Sequence, residues 1–286
     1  MSYEIPIVLT KANNIATENH KMEIAFSKPF VAKDMEICVQ KCYIYNSVFN
    51  VKSGTYTNNQ FSYIFPTSSG DQTYVVSIPD GYYSVSDLSD YINYAQKANG
   101  NYLLDSTGTE IYYTTLTENR VSYSVTISQT LFPTALPTGY TTPSNFSGFP
   151  ATSTTPQLIV PATAFATLIG FVAGTYPAVA ATSFYSVSGT LVPQIDPTYA
   201  YHICTTMCNN QYVNTHSSAI ATFTFAGIPL GQQLPIEPNN LSWFPIMDGN
   251  YQTMQFYFIS QNFAPMLILD TDIILVVLIR KRKLNI

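Results

Sequence analysis

Ile273-Ile274-Leu275-Val276-Val277-Leu278-Ile279 is the longest purely apolar run in this 286-residue chain. It is rich in β-branched residues, which favour extended backbone. Strand side chains alternate between the two faces of a sheet. Seven in a row therefore make a strand apolar on both faces, and such a strand belongs in the middle of a sheet. One face is expected on a sandwich core. The other is expected under a helix, a loop or a neighbouring subunit. A bilayer span needs about 20 apolar residues, so no membrane span is expected.

Strand patterning continues along the chain. Met22, Ile24 and Phe26 alternate with Glu23, Ala25 and Ser27, and Met35, Ile37 and Val39 with Glu36, Cys38 and Gln40. The alternation slips at Lys41 before Tyr43-Ile44-Tyr45, which predicts a one-residue bulge. Further strands are expected over 74–78, 120–127, 184–191, 199–208, 219–225, 254–260 and 272–281. One helix is signalled. Ser84 stands as N-cap with Asp87 three residues on, Val85, Leu88, Ile92 and Ala95 recur at helical spacing, and Asn99-Gly100 closes it. That helix should lie across a sheet edge or end. A short turn ending at Gly170 should bury Phe165, Leu168 and Phe171.

Residues 131–156 hold five prolines and no charge, and Pro, Thr, Ser and Gly make up 17 of the 26. Such a stretch cannot continue a sheet or helix. It reads as a long exposed loop, or as an irregular insertion packed on a partner. The expected class is all-β, a single jelly-roll β-sandwich with one short helix and this Pro/Thr/Ser-rich segment. The expected division is an extended arm over 1–20 and the jelly-roll domain over 21–286.

Charge is sparse and unevenly placed. Charged residues are 10% of the chain, against about 25% in an average domain. Residues 121–279 contain no Lys or Arg and only Asp196, Glu237, Asp248, Asp270 and Asp272 as acids. Such a surface suits burial against subunits or extracellular exposure, and it excludes a nucleic-acid groove in that stretch. The start, Met1-Ser2-Tyr3-Glu4-Ile5-Pro6, carries an early acid and no long apolar core. No secretory signal is expected, and synthesis in a cytoplasm with reduced thiols follows.

Several constellations of residues bear on chemistry. Cys38, Cys42, Cys204 and Cys208 form two C-x-x-x-C pairs. Four residues of strand span roughly 13 Å, too far for two ligands of one zinc ion, so buried structural thiols are expected. His202 and Cys204 are closer, two apart on one face. His20, His202 and His216 have no local catalytic motif around them: no nucleophile elbow, H-E-x-x-H, phosphate loop or dinucleotide fingerprint. No enzyme, cofactor or metal is expected. Asp270 and Asp272, with Asp248, read as turn chemistry before the last strand rather than a calcium site. The sequons at Asn145 and Asn240 mean little without a secretory signal. The run Arg280-Lys281-Arg282-Lys283 holds a third of the basic charge. It reads as a solvated strand end or subunit contact, with a nuclear-import signal or an anchor to encapsidated nucleic acid as the other readings.

The order of elements resembles the penton (vertex) proteins, or minor capsid proteins, of virophages and polinton-like viruses. The strand–turn–helix Val75-Val76-Ser77-Ile78-Pro79-Asp80-Gly81-Tyr82-Tyr83-Ser84-Val85-Ser86-Asp87-Leu88-Ser89-Asp90-Tyr91-Ile92 is similar to that family's "dGxYsvedLnxyi" element. Leu168-Ile169-Gly170-Phe171 is similar to its "LLGF" element. The strand order from Tyr199 to Lys281, with Pro238 to Pro245 and Trp243, is the third likeness. The resemblance implies a non-enzymatic single jelly roll, assembled as a homopentamer at the five-fold vertices of an icosahedral virion. It also implies contacts with a major capsid protein built from two jelly rolls. On that reading Arg280, Lys281, Arg282 and Lys283 face the interior, as a weak contact with packaged nucleic acid or an assembly contact. The alternative is a lectin-like or adhesin β-sandwich.

Overall fold

The computed structural model describes residues 4–196, 198–208 and 218–282. Strands hold 44% of the residues and helices 7%, so the class is all-β. The chain divides into two compact units, Met1–Phe49 with Thr198–Ile286, and Asn50–Pro197. The first unit opens with β1 (Glu4–Leu9), β2 (Lys21–Ala32) and β3 (Met35–Tyr45). The second supplies β4 (Gln60–Thr67), β5 (Gly70–Ser77), α1 (Val85–Ala98), β6 (Leu103–Leu104), β7 (Glu110–Ile111), β8 (Thr114–Asn119), β9 (Ser124–Gln129), β10 (Gln157–Val160), α2 (Ala164–Ile169), β11 (Gly174–Tyr176) and β12 (Tyr185–Ser188). The first unit resumes with β13 (Tyr201–Thr205), β14 (Ala219–Phe223), β15 (Gln233–Ile236), β16 (Phe244–Pro245), β17 (Gly249–Ser260) and β18 (Ile274–Lys281).

The strand pairing of the first unit identifies its fold. β1 pairs with β18, β2 with β17, β3 with β15 and β13 with β14, all antiparallel. The chain is thus one long hairpin, with each outgoing strand against its returning counterpart. Cross-pairing of β18 with β3, and of β13 with β17, rolls that ribbon into two sheets. Lettered B to I in chain order, with the two-residue β16 left out, the sheets read B-I-D-G and F-E-H-C. This is a single jelly roll. Its eight strands lie between Glu4 and Tyr45 and between Tyr201 and Lys281, whereas the expected domain ran from 21 to 286. The second unit occupies the connection between strands D and E.

β18 is central, between β1 and β3, as the apolar run requires. Val276 pairs with Lys41 and Val277 with Val39, so Gln40 is the extra residue of the bulge expected there. Leu275, Val277 and Ile279 of β18 join Ile37, Val39 and Ile44 of β3 and Met254, Phe256 and Phe258 of β17 in one core. Burying each such side chain contributes roughly 1.5–3 kcal/mol. The segment expected as an arm is ordered in part against its own chain. Glu4–Leu9 pairs residue for residue with Leu275–Arg280, and Leu9 is fully buried.

The second unit has its own core, around Phe61, Phe65, Phe132, Leu158, Phe165 and Ile169. Its sheets are β11-β10-β4-β5, β12-β9-β8 and the short β6-β7. α1 begins at a full capping box, with Ser84 and Asp87 exchanging side-chain and backbone bonds, and buries Val85, Leu88, Ile92 and Ala95. It lies along the open edge of β8, where Ser89 Oγ accepts the Leu116 backbone N–H at 3.0 Å. A helix side chain thus replaces a missing strand at that edge. α2 ends at Gly170 in the left-handed region, with Phe165, Leu168 and Phe171 buried.

Two expectations change here. The strand expected over 120–127 is instead the tip and second arm of a hairpin. Asn119 Oδ1 accepts the Val121 and Ser122 N–H groups at 3.2 Å, turning the chain, and Tyr123 has a positive φ of 50°. The segment 131–156 is irregular, and it packs on its own unit. Phe132 is fully buried and contacts Phe65 and Phe149 at 4.7 and 5.9 Å between ring centroids. Asn145 donates to the carbonyls of Lys97 and Ala98, two of the last carbonyls of α1. Gly100, at φ +69°, allows this approach, since a Cβ there would lie 1.9 Å from Asn145 O. Both ends of the second unit are tied within it. Asn50 Nδ2 donates to Ile195 O at 3.0 Å and to Tyr83 O at 2.8 Å.

Candidate assembly site

The outer face of the B-I-D-G sheet is set by register. Glu4, Arg280 and Glu36 form one cross-strand row, Pro6, Leu278 and Cys38 the next, and Val8, Val276 and Lys41 the third. The first row is charged and satisfied. Arg280 pairs with Glu36 through Nε and with Glu4 through Nη1 at 3.5 Å, and its guanidinium lies 3.7 Å over the Trp243 ring. The Arg280 and Glu36 side chains are only 15% and 13% exposed. The rows below are apolar except for Lys41, which pairs with Glu237 at 3.4 Å. Val8 and Ile274 are 48% and 39% exposed, whereas Leu278 is buried. The second face of the apolar run is thus open at one end.

The four basic residues therefore divide. Arg280 is consumed by its own sheet. Lys281 Nζ donates to Lys33 O at 2.8 Å, and the Arg282 backbone N–H donates to Asp34 O at 2.8 Å. Lys281 and Arg282 remain exposed. Lys283 lies outside the described residues, as does His216. Alternation along β18 separates Arg280 from Lys281, but Glu4, Glu36 and Trp243 come from distant segments. No local signal in the sequence marks them.

All four cysteines are free and buried. The bulge decides their geometry. It places Cys42 in the core, while Cys38 stands in the Leu278 row on the opposite face. The two cannot share a metal ion. Burial pushes the Cys38 and Cys204 thiols up to about 11 and those of Cys42 and Cys208 up to about 12. His202 Nδ1 is 2.9 Å from Thr222 Oγ1, and burial lowers the pKa of His20. The aspartates do turn work. Asp248 Oδ1 accepts the Asp34 N–H, Asp270 Oδ1 accepts the Asp272 N–H, and Asp272 pairs with Lys11 at 3.2 Å. Among the described residues no group of three His, Cys, Asp or Glu stands close enough to hold a metal ion. No helix among them is long and apolar enough to cross a membrane.

Two surface cavities lie among the described residues. One of about 240 Å³ is polar, between the β1–β2 connection at Lys11, Asn14 and Glu18 and the residues Thr271 and Ile273. The other, about 230 Å³, lies in the second unit among Val85, Tyr123, Val125, Val192 and Ile195. Neither gathers catalytic groups.

Strand order and site together define a single jelly-roll protein with a folded insertion between strands D and E and an outer sheet face that is partly apolar. No protein-family model matches the sequence. No curated protein matches it either. Among solved structures, the chain is similar to the mavirus penton protein, at 12% identity over 98% of this chain and 99% of that one, with a TM-score of 0.45. It is similar also to a chain of the Sputnik virophage structure, at 12% identity over 98% of each chain, with a TM-score of 0.43. The jelly-roll assignment rests on the strand pairing within this chain, independently of those likenesses.

Proposed function

We propose that the protein is a structural subunit of an icosahedral virion, closing its five-fold vertices as a homopentamer and acting by assembly rather than catalysis. The observation that carries this reading is the rolled eight-strand ribbon, whose B-I-D-G sheet leaves Val8 and Ile274 exposed on its outer face. Ring closure is heterologous, so one face of a subunit meets a different face of the next. Permanent interfaces of that kind are more apolar than a free surface. The basic-free stretch 121–279 suits such faces. The motifs around Gly81–Ile92 and Leu168–Phe171, similar to those of virophage penton proteins, support the same reading. A double jelly-roll major capsid protein is the proposed neighbour, the host cytoplasm the proposed site of synthesis, and the end of the basic run a proposed interior contact.

The test is the native mass of the purified chain, followed by electron-microscopic class averages. The expected result is a closed ring at five times the 31.7 kDa chain mass. A monomer that also fails to enter particles when co-expressed with a major capsid protein would overturn the reading.

A further inference from the structure

We propose that the turn between β2 and β3 and the end of β18 form one anion-binding corner, made of Lys33, Lys281 and Arg282. Its partner is the phosphate backbone of nucleic acid, and Arg280 is not part of it. The inference rests on the vertex reading only for where nucleic acid is met.

The corner is built by register. Lys281 stands opposite Met35, so the last residues of β18 run beside the two-residue turn Lys33-Asp34. Two bonds of 2.8 Å lock them together, Lys281 Nζ to Lys33 O and the Arg282 N–H to Asp34 O. Asp34 holds the turn in the left-handed region, at φ 52°. Lys33, Lys281 and Arg282 are all exposed. The Lys281 ammonium has two further donors beyond its bond to Lys33 O. Carboxylates at the same corner are Asp34 and Asp248, the latter accepting the Asp34 N–H. Glu4 and Glu36 are already paired with Arg280. Cations therefore outnumber free carboxylates here, on a chain of net charge −5. The rest of the charge favours this corner among the described residues. The first unit holds nine basic and nine acidic residues, and the second three basic and eight acidic. All the excess negative charge lies in the second unit. There each cation has a carboxylate partner: Lys52 with Asp80, Lys97 with Glu110 and Arg120 with Glu118. The corner is made of a strand end and a turn. It offers no amphipathic helix to lie in a bilayer interface, so a polyanion in solution fits it better than a lipid surface. Each copy supplies few charges, but a ring would present the corner several times, and linked weak sites bind far more tightly than one.

The experiment is fluorescence anisotropy of a labelled 20-base-pair duplex with the full chain between 50 and 200 mM NaCl. Each phosphate contact contributes about 0.9 to the slope of log K against log salt, so the three cations of a single copy should give a slope of roughly −3. Lys33→Ser should weaken binding about tenfold at 50 mM and flatten the slope by about 0.9. Lys281→Ser with Arg282→Ser should act in the same sense. Lys11→Ser removes the same charge near the other end of β18, about 25 Å away, and should change nothing. Lys33→Gln, with far-UV circular dichroism on every variant, guards against a folding defect at the turn. The inference fails if Lys33 variants bind like the parent, if Lys11→Ser acts as strongly, if no duplex binds at 50 mM, or if vesicles with 30% anionic lipid bind more tightly. A pentamer without duplex binding sinks this inference alone. A monomer that also fails to enter particles with a major capsid protein, yet shows Lys33-dependent binding, sinks the vertex reading alone.

Discussion

Arg280 sits between two carboxylates and an indole face, so its charge serves the sheet rather than the surface. Removing it leaves Glu36, 13% exposed, without its partner. A hydrogen bond to a charged group is worth about 1.5–3 kcal/mol. Arg280→Ala should lower stability by about 2 kcal/mol, read as a lower urea midpoint at unchanged slope. An unshifted midpoint would mean the row carries no stability. The thiols make the second residue-scale prediction. The thiolate is the reactive form, and folded thiols near 11 to 12 keep it below about one part in a thousand at pH 8. Iodoacetamide at pH 8 should leave the native protein unlabelled, and all four sites should react in urea. Rapid labelling of any site in the native protein would contradict the burial. The alternation of residues 35–40 and its slip at Lys41 made the bulge readable. Its consequence, Cys38 and Cys42 on opposite faces, needs only the parity of side chains on either side of one extra residue.

Elements with complete local signals were legible. Ser84, Asp87 and the Val85/Leu88/Ile92/Ala95 stripe specify α1, because capping and helical periodicity act within a few residues. Ser89 carried no such signal. Its role depends on β8 arriving alongside, 27 residues later, with an unpaired N–H. Ser89→Ala strands that buried donor, and should cost about 1–3 kcal/mol. Amide hydrogen exchange should then speed up at Leu116 before the rest of β8. Equal protection in both proteins would show that water replaces the serine. The hairpin β8–β9 departs from its sequence pattern for a related reason. Val121, Tyr123, Val125 and Ile127 alternate like one strand, but Asn119 takes the two N–H groups that follow it and turns the chain first. The 131–156 segment shows the opposite case. Its prolines excluded regular structure, as read, but not packing, which Phe132, Phe146 and Phe149 supply.

The molecule as a whole should weaken in alkali. Burial raises the four thiols, and also Tyr63 and Tyr113 to about 12, above the ordinary values of 9.0 for Cys and 10.0 for Tyr. The folded state then keeps protons that the unfolded chain releases. That stability is present in full below about pH 9, and is lost as pH rises through 9 to 12. Urea midpoints should match at pH 7 and 8 and fall by pH 10.5; a flat profile would rule out the burial as drawn. By itself the sequence determined the β class, the central place of 273–279, the bulge, the capped helix and the scarcity of charge. These are local patterns, written in neighbours along the chain. The tertiary structure alone decided that β1 closes the sheet, that residues 50–197 form their own unit, that Arg280 is taken by Glu36 and Glu4, and that Lys33 meets Lys281. Each depends on contacts between segments far apart in the chain, up to the 276 residues (280 − 4) between Glu4 and Arg280. Periodicity says which face a residue takes, but only the pairing of strands says whom it faces.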